Sequence, residues 1–136
     1  NMFYLTRREH FNAAHKLSNP NWTEEQNKTV FGGCANPNWH GHNYTLWVTV
    51  KGNVNPETGF VMNMRDLSKV INEQVIKHID HKNLNLDVPF LQGIMPSTEN
   101  VAKAIWDQMA PHIEGGILHC VKLQETENIF VEYYGE

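Results

Sequence analysis

The sequence predicts an α+β domain in the order ββααββ: an antiparallel four-stranded sheet with two helices on one face. Three observations carry this. Runs rich in aromatic and β-branched residues open the chain at 3–14 and 44–54, and two more lie near its end at 117–125 and 129–134. Between the two pairs, apolar residues recur at helical spacing in two stretches. No repeat, linker or low-complexity segment divides the chain, so residues 2–136 read as one domain, long enough for a sizeable core. A sheet followed by helices that must cover it packs most simply as an α+β layer.

Taken in order, the first strand ends in Phe-Asn-Ala-Ala-His at His15. Residues 17–33 are polar, with Asn19-Pro20-Asn21 and Gly32-Gly33, and read as a long loop to which Trp22 and Phe31 could be pinned. The second strand follows, and Asn55-Pro56-Glu57-Thr58-Gly59 is a turn. Asn63 can cap the first helix, with Asp66 in the dipole-favoured first turn. Leu67, Val70, Ile71, Val75 and Ile79 make its apolar stripe. Residues 78–96 are irregular, though Leu84 and Leu86 suggest that they pack down. Ser97 can cap the second helix, whose buried face is Val101, Ala102, Ile105, Trp106 and Met109. Gly115-Gly116 breaks the chain, and Thr126-Glu127-Asn128 joins the last two strands as a hairpin. A sheet with one open face and open edges makes an oligomer that covers them a reasonable expectation.

Composition narrows the functional classes. An apolar content of 40% and a charged content of 19% are ordinary for a soluble protein. A net charge of -4 argues against a nucleic-acid partner while leaving room for a local basic pocket. No apolar run reaches the roughly 20 residues that span a bilayer, so no membrane role is expected. Cys34 and Cys120 are far apart and no export signal is read, which points to free thiols in a reducing, cytoplasmic setting. Asn1 ahead of Met2 reads as a cloning remnant.

The chemistry concentrates in Cys34-Ala-Asn-Pro-Asn-Trp-His40-Gly-His42-Asn-Tyr44. If a strand begins here, His40 and His42 point to one side of it, because side chains alternate. His15 ends the first strand. Antiparallel pairing of neighbouring strands would bring all three imidazoles to one corner of the sheet, the three-histidine arrangement of a catalytic zinc with an open fourth position. Spacing alone leaves the metal open, since neighbouring histidines can be simple surface residues. His10, His78, His112 and His119 read as ordinary exposed or hydrogen-bonded imidazoles.

Cys34 is either a small buried apolar residue or a thiol that moves protons, and its place beside two glycines and six residues before His40 favours the second. Asp80-His81 is either a solvated helix end or a carboxylate supporting a histidine. Glu99 is accounted for by the helix dipole, and Glu125 lies at a strand end. Either could instead accept two hydrogen bonds from an amidine-like N–C–N edge.

These residues together resemble the 6-pyruvoyl-tetrahydropterin synthase family. The likeness spans almost the whole chain in five ordered motifs: Phe-Asn-Ala-Ala-His-Lys-Leu ending at Leu17, Cys-x5-His-Gly-His-Asn-Tyr at 34–44, Ile79 to Leu84, Ser-Thr-Glu-Asn-Val at 97–101, and Glu-Thr-Glu-Asn at 125–128. The resemblance implies a tunnelling fold, in which the sheets of three subunits close a barrel and two trimers stack into a homohexamer. It implies that His15, His40 and His42 hold zinc, that Cys34 is the catalytic thiol, and that Asp80 and His81 are its proton-handling partners. It also implies that Glu125 anchors the pterin ring, with Thr98 and Glu99 in the same pocket.

The implied reaction converts 7,8-dihydroneopterin triphosphate to 6-pyruvoyl-tetrahydropterin. Triphosphate is eliminated and the side chain rearranges by internal redox, with no external hydride donor. Lys16, Arg7, Arg8 and Lys28 are the basic residues available to the triphosphate. A bacterial branch of the family uses the same fold and precursor to make 6-carboxy-tetrahydropterin. The five-residue spacer between Cys34 and His40 looks like the biopterin branch, and a retained Cys34 argues against the variant that carries glutamate there. A non-catalytic zinc-stabilised binding module, or a ligand-binding domain without metal, are the readings from other classes.

Overall fold

In the computed structural model, which describes residues 1–36 and 39–136, two long strands form the base of the sheet. β1 (Met2–His15) and β2 (His40–Asn53) pair antiparallel along their whole length, from Met2 opposite Asn53 to His15 opposite His40. β4 (Ile117–Thr126) pairs with β2, and β5 (Ile129–Tyr133) returns along β4. A fifth strand, β3 (Lys82–Asn83), lies parallel to β1 at Ala13 and Ala14, so the order is β3-β1-β2-β4-β5. The expected four-stranded sheet therefore gains an edge strand. With two residues it is too short for alternating hydrophobicity to reveal.

The period of two sorts the strand residues as expected. Phe11, Ala13 and His15 of β1, Tyr44, Leu46, Val48 and Val50 of β2, and Val121 and Leu123 of β4 are buried on one face. Two helices cover that face. α2 begins as Met64–Ile71, passes through a π-type turn at Asn72–Ile76 and ends in Lys77–Ile79. Asn63 caps it: its Oδ1 accepts the Arg65 N–H at 2.9 Å. Leu67, Ile71, Val75 and Ile79 are fully buried, each contributing roughly 1.5–3 kcal/mol relative to exposure. A charge at Ile71 would break this packing, because the residue is fully buried in the hydrophobic core. α3 (Thr98–Met109) is capped by Ser97, whose Oγ accepts the Asn100 N–H at 3.2 Å, and it buries Val101, Ala102, Ile105 and Met109.

The stretch 17–33 departs from the expected loop. It contains α1 (Glu24–Phe31), so the observed order is βαβαβαββ rather than ββααββ. α1 has a capping box: the Thr23 hydroxyl accepts from the Gln26 N–H at 3.1 Å and the Gln26 side chain accepts from the Thr23 N–H at 2.8 Å. It buries no residue, which is why it lacks the apolar stripe that marks α2 and α3. Gly32, at φ +57°, takes the chain out of α1 into a 3₁₀ turn at Gly32–Ala35 that carries Cys34. β2 also starts earlier than the aromatic run suggests, at His40, so both histidines of the H-x-H pair are strand residues.

Candidate metal centre

His15 closes β1 and faces His40 directly across the ladder, while His42 stands opposite Ala13. All three imidazoles lie on the helix-covered face. Their ring centres are 4.4 Å apart for His15 and His40, 4.9 Å for His40 and His42, and 5.1 Å for His15 and His42. Glu125 enters the same corner from β4. Its Oε1 is 2.9 Å from His42 Nε2 and 3.2 Å from His15 Nε2. One ligand atom from each of the four residues lies within 4.8 Å of the others.

The tautomer of His15 follows from its surroundings. Its Nδ1 is 2.8 Å from the carbonyl oxygen of Pro96. A carbonyl only accepts, so Nδ1 carries a proton, and in the neutral ring Nε2 turns its lone pair toward the Glu125 carboxylate. Two lone pairs then face each other across 3.2 Å with no proton between them. His15 Nε2, both ring nitrogens of His40 and His42 Nε2 are buried without a hydrogen-bond partner. Leaving buried polar atoms unpaired costs of order 1–3 kcal/mol each. A cation ligated by one nitrogen of each ring removes that cost for the atoms that bind it, and three imidazole nitrogens with one carboxylate oxygen are donors that suit zinc.

Electrostatics favours the neutral form of His40 and His42. Burial lowers the His40 pKa, the nearby His15 and His42 lower it further, and Glu125 opposes them. Burial also lowers that of His42, with Glu125 raising it and His15 lowering it. Both rings therefore offer lone pairs at neutral pH. Tyr44 floors the corner, fully buried and stacked on Phe11 at 4.8 Å between ring centres. Burial first, then the charges of Glu125 and Cys34, push its hydroxyl above the usual range. The Cys34 thiol is thus within electrostatic reach of the corner.

Cys34 itself is half-buried and stands outside the four-ligand group. Its carbonyl accepts the Leu17 N–H at 2.8 Å, which ties the 3₁₀ turn to the chain just beyond His15. Asp80 and His81 are also outside that group. Asp80 Oδ1 accepts the Asn12 N–H at 2.9 Å, and the His81 N–H donates to the Asn12 carbonyl at 2.6 Å. His81 has φ +59°, and its ring is 80% exposed, with Nε2 3.6 Å from Asp80 Oδ2. That separation is too long for a hydrogen bond. Thr98 is buried and its hydroxyl donates to Glu125 Oε2 at 2.6 Å, whereas Glu99 is exposed in the first turn of α3. Of the basic candidates, Arg7 is paired with Glu9 at 3.0 Å, and Lys16 Nζ lies 5.6 Å from the centre of the Trp39 ring. His10 contacts the Thr45 hydroxyl at 3.3 Å, and His119 packs against Tyr4 and Tyr134. Pro37 and Asn38 of the spacer read as a product-specificity clue lie outside the described residues.

A family profile described as 6-pyruvoyl tetrahydropterin synthase matches residues 4–136. The chain belongs to the 6-pyruvoyl tetrahydropterin synthase family. It is 46% identical over 132 residues to the human 6-pyruvoyl tetrahydrobiopterin synthase, covering 97% of this chain and 91% of that protein. A relative from Bacillus subtilis named 6-carboxy-5,6,7,8-tetrahydropterin synthase is 30% identical over 115 residues, covering 82% of this chain and 68% of that one. The solved structure of Caenorhabditis elegans 6-pyruvoyl tetrahydropterin synthase superposes with a TM-score of 0.94 at 32% identity, covering 100% of this chain and 97% of that one.

Two features of this family member's corner were not expected from sequence. One is the Pro96 carbonyl, which sets the His15 tautomer; a backbone acceptor leaves no mark in residue identity. The other is the position of Glu125 Oε1 among the histidine nitrogens, rather than only at a ring-binding edge.

Proposed function

We propose that this chain is a zinc-dependent lyase of tetrahydrobiopterin synthesis, converting 7,8-dihydroneopterin triphosphate to 6-pyruvoyl-tetrahydropterin with elimination of triphosphate. The observation that carries the reading is the corner where His15, His40 and His42 bring buried, unpartnered nitrogens together beside Glu125, in a chain 46% identical to a synthase of that name. Zinc held by the three histidines supplies Lewis acidity to the substrate's side-chain hydroxyls.

The remaining work falls to the chain's own residues. Glu125 accepts the N2–N3 edge of the pterin and fixes the ring, with Thr98 orienting the carboxylate through the 2.6 Å hydrogen bond. Cys34 takes a proton from the side-chain carbon, and His81, supported by Asp80, relays another. Glu99 borders the ring pocket. The open sheet face and edges are covered in a homohexamer built as two trimers, each closing a barrel. A reducing cytoplasm suits the two free cysteines; no helix among the described residues is long and apolar enough to cross a membrane.

Incubation with dihydroneopterin triphosphate tests the proposal: triphosphate is released and a tetrahydropterin with a three-carbon side chain appears. A carboxy-pterin as the only product would hand the assignment to the activity named for the Bacillus subtilis relative.

A further inference from the structure

We propose that Glu125 is a switching ligand: Oε1 completes the zinc shell while the site is free of substrate, and leaves it when the carboxylate pairs with the pterin. This rests on the zinc and pterin reading above and goes beyond it, since that reading gives Glu125 to the ring alone.

The geometry points to it in three ways. Oε1 lies 2.9 Å from His42 Nε2 and 3.2 Å from His15 Nε2. Ligands around a four-coordinate zinc, each about 2.0–2.2 Å from the ion, sit roughly 3.3 Å from one another. The oxygen is near that spacing from two of the three histidines and within 4.8 Å of a ligand nitrogen of the third, His40. Next, the His15 tautomer set by Pro96 leaves Nε2 without a proton to give this oxygen. For the neutral ring the closeness of the two atoms is not a hydrogen bond, and a shared cation accounts for it. Finally, Oε2 is engaged elsewhere, by the Thr98 hydroxyl at 2.6 Å. Thr98 thus decides which oxygen faces the histidines.

One carboxylate cannot keep Oε1 on the metal and also offer both oxygens to the N2–N3 edge of a pterin. Docking the ring breaks the Oε1–metal bond, and an oxygen of the substrate side chain takes the vacated position. The carboxylate stays anionic throughout, and no proton or electron changes hands. The consequence is order: the position that activates the side chain opens only after the ring is seated. Without substrate, Oε1 occupies the position where water would otherwise bind.

Zinc affinity and cobalt spectra test this without reading turnover. In chelator competition, Glu125→Gln weakens zinc binding by about 10–100-fold, and Thr98→Val weakens it by less, in the same direction. In cobalt-substituted enzyme, unreactive neopterin, which lacks the triphosphate, changes the ligand-field spectrum of the wild type toward that of Glu125→Gln and leaves the variant's spectrum unmoved. Zinc affinity of Glu125→Gln within about twofold of wild type, or a wild-type spectrum indifferent to bound neopterin, would overturn the switch while the pterin-lyase reading stands. A wild type that holds no stoichiometric zinc would remove both.

Discussion

The four side chains that could hold a metal and the three proposed proton carriers gather at the same end of the sheet but are held by different physics. His15, His40, His42 and Glu125 are strand residues on one face; the histidines are placed by the unbroken β1–β2 ladder and the two-residue period, and Glu125 stands at a register shift of β4 between Gln124 and Thr126. His15 has no solvent exposure at all. Cys34 sits on a 3₁₀ turn, and Asp80 and His81 follow the end of α2, with the His81 ring 80% exposed. The three histidines of the first set are held by the paired strands before any ligand arrives. The second has backbone anchors at Leu17 and Asn12 but no side-chain constellation of its own. Metal binding should therefore tolerate no loss in the first set, while chemistry and stability should separate cleanly in the second.

The largest effect is expected at His15. His15→Ala deletes the most buried ligand and orphans the Pro96 carbonyl. Zinc affinity should fall by at least about 100-fold, with turnover lost, as read by elemental analysis after dialysis against a weak chelator. Stoichiometric zinc in that variant would break the distinction between the sets, because the corner would then not depend on its best-placed member.

Next comes Cys34. Cys34→Ala should lower turnover by about 10²–10⁴-fold, the range of one lost acid–base group, and leave zinc content and melting temperature as they were. A parallel loss of zinc would move Cys34 into the ligand set. Normal turnover would remove it from the chemistry and favour a metal-stabilised binding role.

The same contrast explains what the sequence discloses. The three histidines were legible because strand ends and alternation turn sequence spacing into geometry; the His15–His40 pairing realises it. The cores of α2 and α3 were legible through their apolar stripes and the caps Asn63 and Ser97. α1 was not, because its stability is local: the Thr23–Gln26 capping box leaves no apolar stripe when nothing is buried. That Thr-Glu-Glu-Gln signature was nevertheless present at 23–26. β3 escaped because two residues carry no period. The Pro96 acceptor escaped because every residue has a carbonyl.

Asp80 and His81 should show smaller effects of opposite sign on stability. Asp80→Ala removes a charged acceptor from the Asn12 N–H and should cost about 1–2 kcal/mol. His81 is in the left-handed region at φ +59°, so His81→Gly relieves strain and should gain up to about 1 kcal/mol after glycine's own entropic cost. At roughly 3–5 °C per kcal/mol for a chain of this size, thermal melts resolve both. Turnover should fall in each. A His81→Gly protein both more stable and slower would mark strain retained for chemistry, whereas one that is more stable at full rate would leave the imidazole without a role.

The smallest effect lies between the two cysteines, and it tests the boundary between the sets most directly. Cys120 is 6% exposed, and burial, the largest influence on it, pushes its thiol up, with a hydrogen bond to Tyr134 opposing. Thiolate is the reactive form, so both access and ionisation protect Cys120 near neutral pH. Half-buried Cys34 should be alkylated first by iodoacetamide, with activity lost in step with its modification in peptide maps. Raising the pH should bring Cys120 up later, because a raised pKa delays its ionisation. Zinc decides the rest. If Cys34 stands off the metal, zinc-loaded and zinc-free protein should label at Cys34 at comparable rates. Protection by zinc would mean that the thiol enters the shell, and that it, rather than Glu125 Oε1, closes the corner when no substrate is bound.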